Sequence, residues 1–281
     1  MNFSKPLDKF SLLRTHEIEE VEEVLGRVYA RPTSEIVRTV KNKRLDASIN
    51  LCELQHVALG YTSYGADLGL SFPAGEFFLQ FFPVLGKGET AIDKTTVSLT
   101  RDTTAIVSPN SGYVTNYHPD YEFFILRIDP QALAEKLAAI TGVAISAPLR
   151  MSPQTCSKKP GAQMLRQYIP LLADTMDKLV TSFPDWWISQ SEELLMTLFL
   201  FGNQHNYSHV LEARQTDAAP WQVRRAEEYI AENFHQAITL EEIAAITGVS
   251  AFSLFRSFKK SRGYSPLEFA SRLRANRRGT Q

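Results

Sequence analysis

Apolar residues recur at helical spacing near both ends of the chain, and short β-type runs fill the stretch between them. Over residues 15–29, Ile18, Val21, Leu25 and Val28 form one stripe behind Thr15 and the acids Glu17, Glu19 and Glu20. That arrangement predicts a capped amphipathic helix, ended by Arg31-Pro32. From about 45 to 128 the texture changes to runs at 56–62, 76–85, 95–100, 104–108, 112–117 and 122–128. Gly60, Gly65, Gly75, Gly86, Gly88, Pro109-Asn110 and Gly112 punctuate them. Many short strands without intervening helices predict an antiparallel barrel or sandwich rather than a βαβ sheet. The run Glu76 to Phe82 is apolar on both alternating faces, so one face lines an interior and the other is covered.

After Asp129-Pro130 the period is helical again. Residues 131–141 align Leu133, Leu137 and Ile140 and stop at Gly142; longer helices follow over 161–181 and 187–204. The last of these carries Leu194, Leu195, Leu198, Phe199 and Phe201, and needs cover from the barrel or from a second copy of the chain. Residues 212–220 read as a linker between a first domain, 1–211, and a second, 221–281.

The second domain is dense in helix signals. Trp221, Val223, Ala226, Tyr229, Ile230 and Phe234 share a face. Thr239 caps a short helix with Glu242 at the reciprocal capping-box position, and that helix stops at Gly248. Ser250 caps another that runs to about 261. Two short helices joined by a glycine-bearing turn form a helix-turn-helix. Leu254 and Phe258 hold the second helix to a core, which leaves Ala251, Phe252, Phe255, Arg256 and Lys259 on another face, with Lys260 beside them. Arg256 is expected to read a base in a major groove, Lys259 and Lys260 to neutralise phosphate, and Ala251, Phe252 and Phe255 to shape the fit.

Charge sharpens this picture. The chain of 281 residues has a net charge of −1. Residues 221–281 hold ten Lys/Arg against six Asp/Glu, and residues 1–220 hold 20 against 25. A cationic end on an acidic body suggests a module for a polyanion. Hydrophobic residues make up 44% and charged residues 22%, which excludes a disordered or collagen-like chain. Cys52 and Cys156 are too few for a disulfide framework and lack metal spacing. No run approaches the roughly 18 apolar residues of a membrane span, and residues 1–6 lack a signal-peptide core, so a cytoplasmic protein with no membrane partner is expected.

The run Ala244, Gly248-Val249-Ser250, Leu254, Arg256, Phe258-Lys259-Lys260, Gly263, Ser265-Pro266 and Phe269 resembles the first helix-turn-helix of AraC/XylS-type transcription regulators. Residues 265–274 resemble the start of that family's linking helix. The first domain is similar to the sensor of the XylS-like branch, entering near Leu59-Gly60-Tyr61 and closing near Phe123–Ile128. The resemblance implies an α+β protein, with an N-terminal cupin-like antiparallel barrel (about 45–128), supporting helices (131–204) and a small all-α DNA-binding domain. It implies double-stranded DNA, RNA polymerase, a second copy of the chain and a small organic effector as partners, the effector being an aromatic or other carboxylate. The family's second helix-turn-helix has no counterpart before Gln281, so a shortened regulator is expected to depend on self-association and to bind DNA weakly in salt.

For the effector, Arg38 is a bidentate carboxylate partner, and His56, Phe78 and Tyr113, with Tyr117, are candidate lining residues. The alternative from another class is a metal-dependent cupin enzyme, an isomerase or dioxygenase. His56 and His118 stand apart, and Glu122 alone does not complete a ligand set. The His205/His209 pair is read as a helix end rather than a zinc site, and GxSxG, Walker and GxGxxG patterns are lacking. No catalytic residue, metal or cofactor is expected.

Overall fold

The computed structural model describes residues 5–29, 37–41, 45–156, 159–178, 183–211 and 221–278. The expected linker, 212–220, lies outside them. The chain divides into two compact units, Met1–His209 and Val210–Gln281.

The first unit opens with β1 (Ser11–Thr15), α1 (Ile18–Tyr29) and β2 (Val37–Lys41). Nine strands follow: β3 (Ala47–Glu53), β4 (Val57–Ser63), β5 (Asp67–Phe72), β6 (Phe78–Leu85), β7 (Gly88–Ile92), β8 (Thr95–Leu99), β9 (Thr103–Val107), β10 (Tyr113–Tyr117) and β11 (Glu122–Ile128). It ends with α2 (Pro130–Thr141), β12 (Gln154–Cys156), α3 (Pro160–Lys178) and α4 (Asp185–Gly202). All strand pairs are antiparallel, in sheets ordered β1-β3-β4-β11-β6-β9-β12 and β2-β5-β10-β7-β8. The barrel is thus built as two facing sheets.

Side chains from both sheets meet in one core. Leu51, Phe81 and Phe123 come from the larger sheet, Leu70, Phe72, Tyr113 and Tyr117 from the smaller, and Val21, Leu25 and Val28 from α1. The doubly apolar run of β6 behaves as its pattern requires. Leu79 and Phe81 enter this core, while Phe78 packs on Phe199 of α4, ring centroids 6.1 Å apart. On that outer face Gln80 and Asn203 exchange amide hydrogen bonds of 3.2 and 3.0 Å. Leu195 and Phe199 are fully buried and Leu198 nearly so. The cover that α4 needs therefore comes from within its own unit, from α3 and α2 as well as the sheet, and only Leu194 of the apolar set stays well exposed, at 41%. A second copy is not required to hide it.

The second unit consists of α5 (Trp221–Asn233), α6 (Leu240–Thr247), α7 (Ala251–Arg262) and α8 (Pro266–Arg278). Both halves of the Thr239/Glu242 capping box form, at 3.2 and 3.0 Å. Gly248 ends α6 at φ 70°, a left-handed conformation that costs glycine little. Val223, Ala226, Ile230, Ile243, Ala244, Leu254, Phe258 and Ala270 make the core.

Candidate functional site

The face of α7 is set by its cap and its two core anchors. Ser250 accepts the Ser253 N–H at 3.2 Å, which fixes the helix start. Leu254 and Phe258 are wholly buried, so the positions between them turn outward. Phe252 is 73% exposed and Phe255 39%, and Arg256, Lys259 and Lys260 are exposed with them. Ala251 differs from the other five residues expected on this face, because it is half-buried and packs toward the core. Lys259 Nζ lies 5.8 Å from the centre of the Phe255 ring, which orients ammonium and ring together.

Neighbouring cations are committed elsewhere. Arg262 holds Glu227 through two bonds of 2.6 and 2.9 Å. Arg274 donates to the carbonyls of Phe234 and Gln236 at the end of α5, and Arg272 stacks on Tyr264. Among the described residues Arg256, Lys259 and Lys260 have no carboxylate within 4 Å. Three unpaired cations interleaved with two exposed rings can meet a polyanion that also offers apolar surface.

The four expected effector residues are not brought together. Arg38 is on β2, opposite Leu70, and its side chain lies outside the described residues. His56 is exposed in the β3–β4 turn, where it is the backbone N–H that is used. Phe78 faces α4, and Tyr113 is buried in the core, stacked on Phe72 at 4.5 Å. The reason is that aromatic side chains fill the space between the sheets. Tyr29, Tyr64, Phe72, Phe81, Tyr113, Tyr117 and Phe123 leave a gap of only about 10 Å³, room for one water at most. Burial pushes the phenols of Tyr64, Tyr113 and Tyr121 far above their ordinary range, so they stay protonated.

Space lies outside the sheets instead. A cleft of about 800 Å³ runs between the 108–111 loop, the start of α2 and residues 145–153. Its floor holds Phe78, Ile106, Leu149 and Met151, and Asp93 and Arg150 stand on its rim.

Other candidates resolve into structural roles. His205 is buried; its Nε2 lies 3.2 Å from the Leu200 carbonyl and its Nδ1 accepts the Tyr207 N–H. His118 lies 3.8 Å from Asp67. Among the described residues no group of three or more His, Cys, Asp or Glu is placed to hold a metal. Burial pushes the Cys52 thiol up to about 12, which keeps it unreactive. Among the described residues no helix is long and apolar enough to cross a membrane.

Residues 21–200 match the model of the AraC-binding-like domain. The crystal structure of the AraC-like transcriptional activator CuxR is similar over 95% of this chain and 94% of its own, at 12% identity and a TM-score of 0.50. The cupin domain of Cnp3 from Schizosaccharomyces pombe is 14% identical over 42% of this chain and 82% of its own, with a TM-score of 0.29. KdgF from Halomonas sp. is 8% identical over 36% and 92%, with a TM-score of 0.28. No curated protein matches the sequence.

Proposed function

The chain belongs to the AraC-binding-like domain family, and from that premise we propose that it is a transcription regulator that binds double-stranded DNA through its second unit and a small organic effector through its first. The observation that carries this reading is the outward face of α7. Phe252, Phe255, Arg256, Lys259 and Lys260 are exposed there, and the helix is held by residues on its other side. A helix so mounted fits a major groove. Arg256 contacts a base edge, Lys259 and Lys260 contact phosphates, and the two rings meet thymine methyl groups. Ala251 packs inward, so recognition rests on the other five. The α6–turn–α7 pair acts as the helix-turn-helix, with Gly248 in the turn.

The first unit acts by binding rather than catalysis, without metal or cofactor, and its effector is an organic carboxylate. The regulator works as a homodimer in the cytoplasm and engages RNA polymerase. Salt dependence of binding to a mixed-sequence DNA duplex tests the reading. Each phosphate contact contributes about −0.9 to the slope of log affinity against log salt. Lys259 and Lys260 should together give a clearly negative slope. A chain that fails to bind duplex DNA even at low salt would remove the proposal.

A further inference from the structure

The stripe that fastens α7 to its core repeats every four residues: Leu254, Phe258 and then Arg262. The first two are wholly buried, and the third is a cation in the last turn. Its anchor is polar instead. Arg262 Nε donates to Glu227 Oε1 at 2.6 Å and Nη2 to Glu227 Oε2 at 2.9 Å, the two parallel bonds of a guanidinium–carboxylate fork. The side chains are 27% and 21% exposed, so solvent screens this pair less than it screens an ordinary surface ion pair. Glu227 stands at the edge of the α5 core face, four residues after Val223 and three before Ile230, both wholly buried.

Apolar contact is non-directional, so Leu254 and Phe258 hold α7 against the core but fix its rotation only loosely. A fork bonded at both oxygens sets angle as well as distance. Arg256, Lys259 and Lys260 sit within six residues of that fork, on the C-terminal half of the helix. A side chain that reads a base edge must meet its pattern at hydrogen-bond distance, whereas attraction to phosphate carries no sequence information. A roll of the last turn therefore harms sequence reading before it harms general attraction to DNA. Charge makes this separable. Glu227 is a carboxylate in a unit that, on the reading above, approaches a polyanion. Were its charge all that mattered, removing it would strengthen binding to every duplex. A residue that holds α7 in place gives the opposite sign on the specific site.

We propose that Glu227, acting through Arg262, is the positioning residue that sets α7 for sequence reading. This rests on the DNA-binding reading above, and adds to it a pair that governs discrimination between sequences rather than attraction to DNA.

The test measures the affinity of the full chain, at one salt concentration, for a duplex selected by the wild type from a random pool and for a random duplex. Glu227→Gln should lose roughly fivefold or more on the selected duplex, the lower end of what one base contact contributes, and hold or gain affinity on the random one. Arg262→Gln should lose at least as much on the selected duplex, and the double variant no more than Arg262→Gln alone, because both changes break one fork. Arg262→Lys keeps the charge without the fork and should fall between wild type and Arg262→Gln on the selected duplex. Glu227→Gln keeping or gaining affinity on both duplexes, or losing equally on both, would overturn the positioning role. Should Glu227→Gln fail to fold, Arg262→Lys decides, and wild-type affinity for the selected duplex would overturn the role. A wild type that does not distinguish the two duplexes would instead remove the reading of α7 itself, and the role of the pair with it.

Discussion

Glu192 carries a carboxylate into the interior of the first unit, where its Oε1 accepts the backbone N–H groups of His56 at 2.5 Å and Val57 at 2.9 Å. It thereby ties the β3–β4 turn to α4. Glu192→Ala leaves two backbone donors unpaired, the buried one on Val57 among them, and should cost about 1–3 kcal/mol, read as a lower urea midpoint. An unchanged midpoint would show that water replaces the carboxylate without loss. Nothing in the sequence separates Glu192 from the adjacent Glu193, which pairs with Lys136. The partners of Glu192 are about 136 residues away in the chain. His56 misled for the same reason, because its backbone is what the fold uses. Residues whose role is local were legible: Thr239, Glu242, Gly248 and Ser250 all do what their spacing implied.

Elements were legible where their periodicity was strong. The expected runs at 56–62, 112–117 and 122–128 are β4, β10 and β11 to within a residue, and α1 buries the stripe of Val21, Leu25 and Val28. β1 and β12 were missed because each is short and takes its hydrogen bonds from strands far along the chain. The filled interior was equally hidden, since aromatic residues alternating along β10 and β11 read alike as pocket lining or as core. How α3 and α4 approach is settled by two glycines. A Cβ on Gly202 would stand 2.9 Å from the backbone of Ala162, and one on Gly161 equally close to Gly202. Gly202→Ala should therefore push the helices apart and destabilise by about 1–3 kcal/mol. Gly26, inside α1 with open space around it, is the opposite case, and Gly26→Ala should stabilise by roughly 0.5–1 kcal/mol. Denaturant unfolding of the two variants should show shifts of opposite sign; shifts of the same sign would contradict the packing described.

At the scale of the whole molecule, surface character divides as charge does: the acidic first part presents a recess beside α2, and the basic end presents the exposed face of α7. That division was visible in the sequence, because charge counts and a helix face need no tertiary information. The central claim is that α7 reads DNA, and the most direct test compares two variants on two duplexes, a site selected by the full chain and a random sequence. Arg256→Ala should lose about 1–3 kcal/mol on the selected site and little on random DNA. Lys259→Ala should lose affinity on both and flatten the salt slope by roughly one. Equal losses on both duplexes for Arg256→Ala, or none on either, would contradict the assignment of α7 as the reading helix.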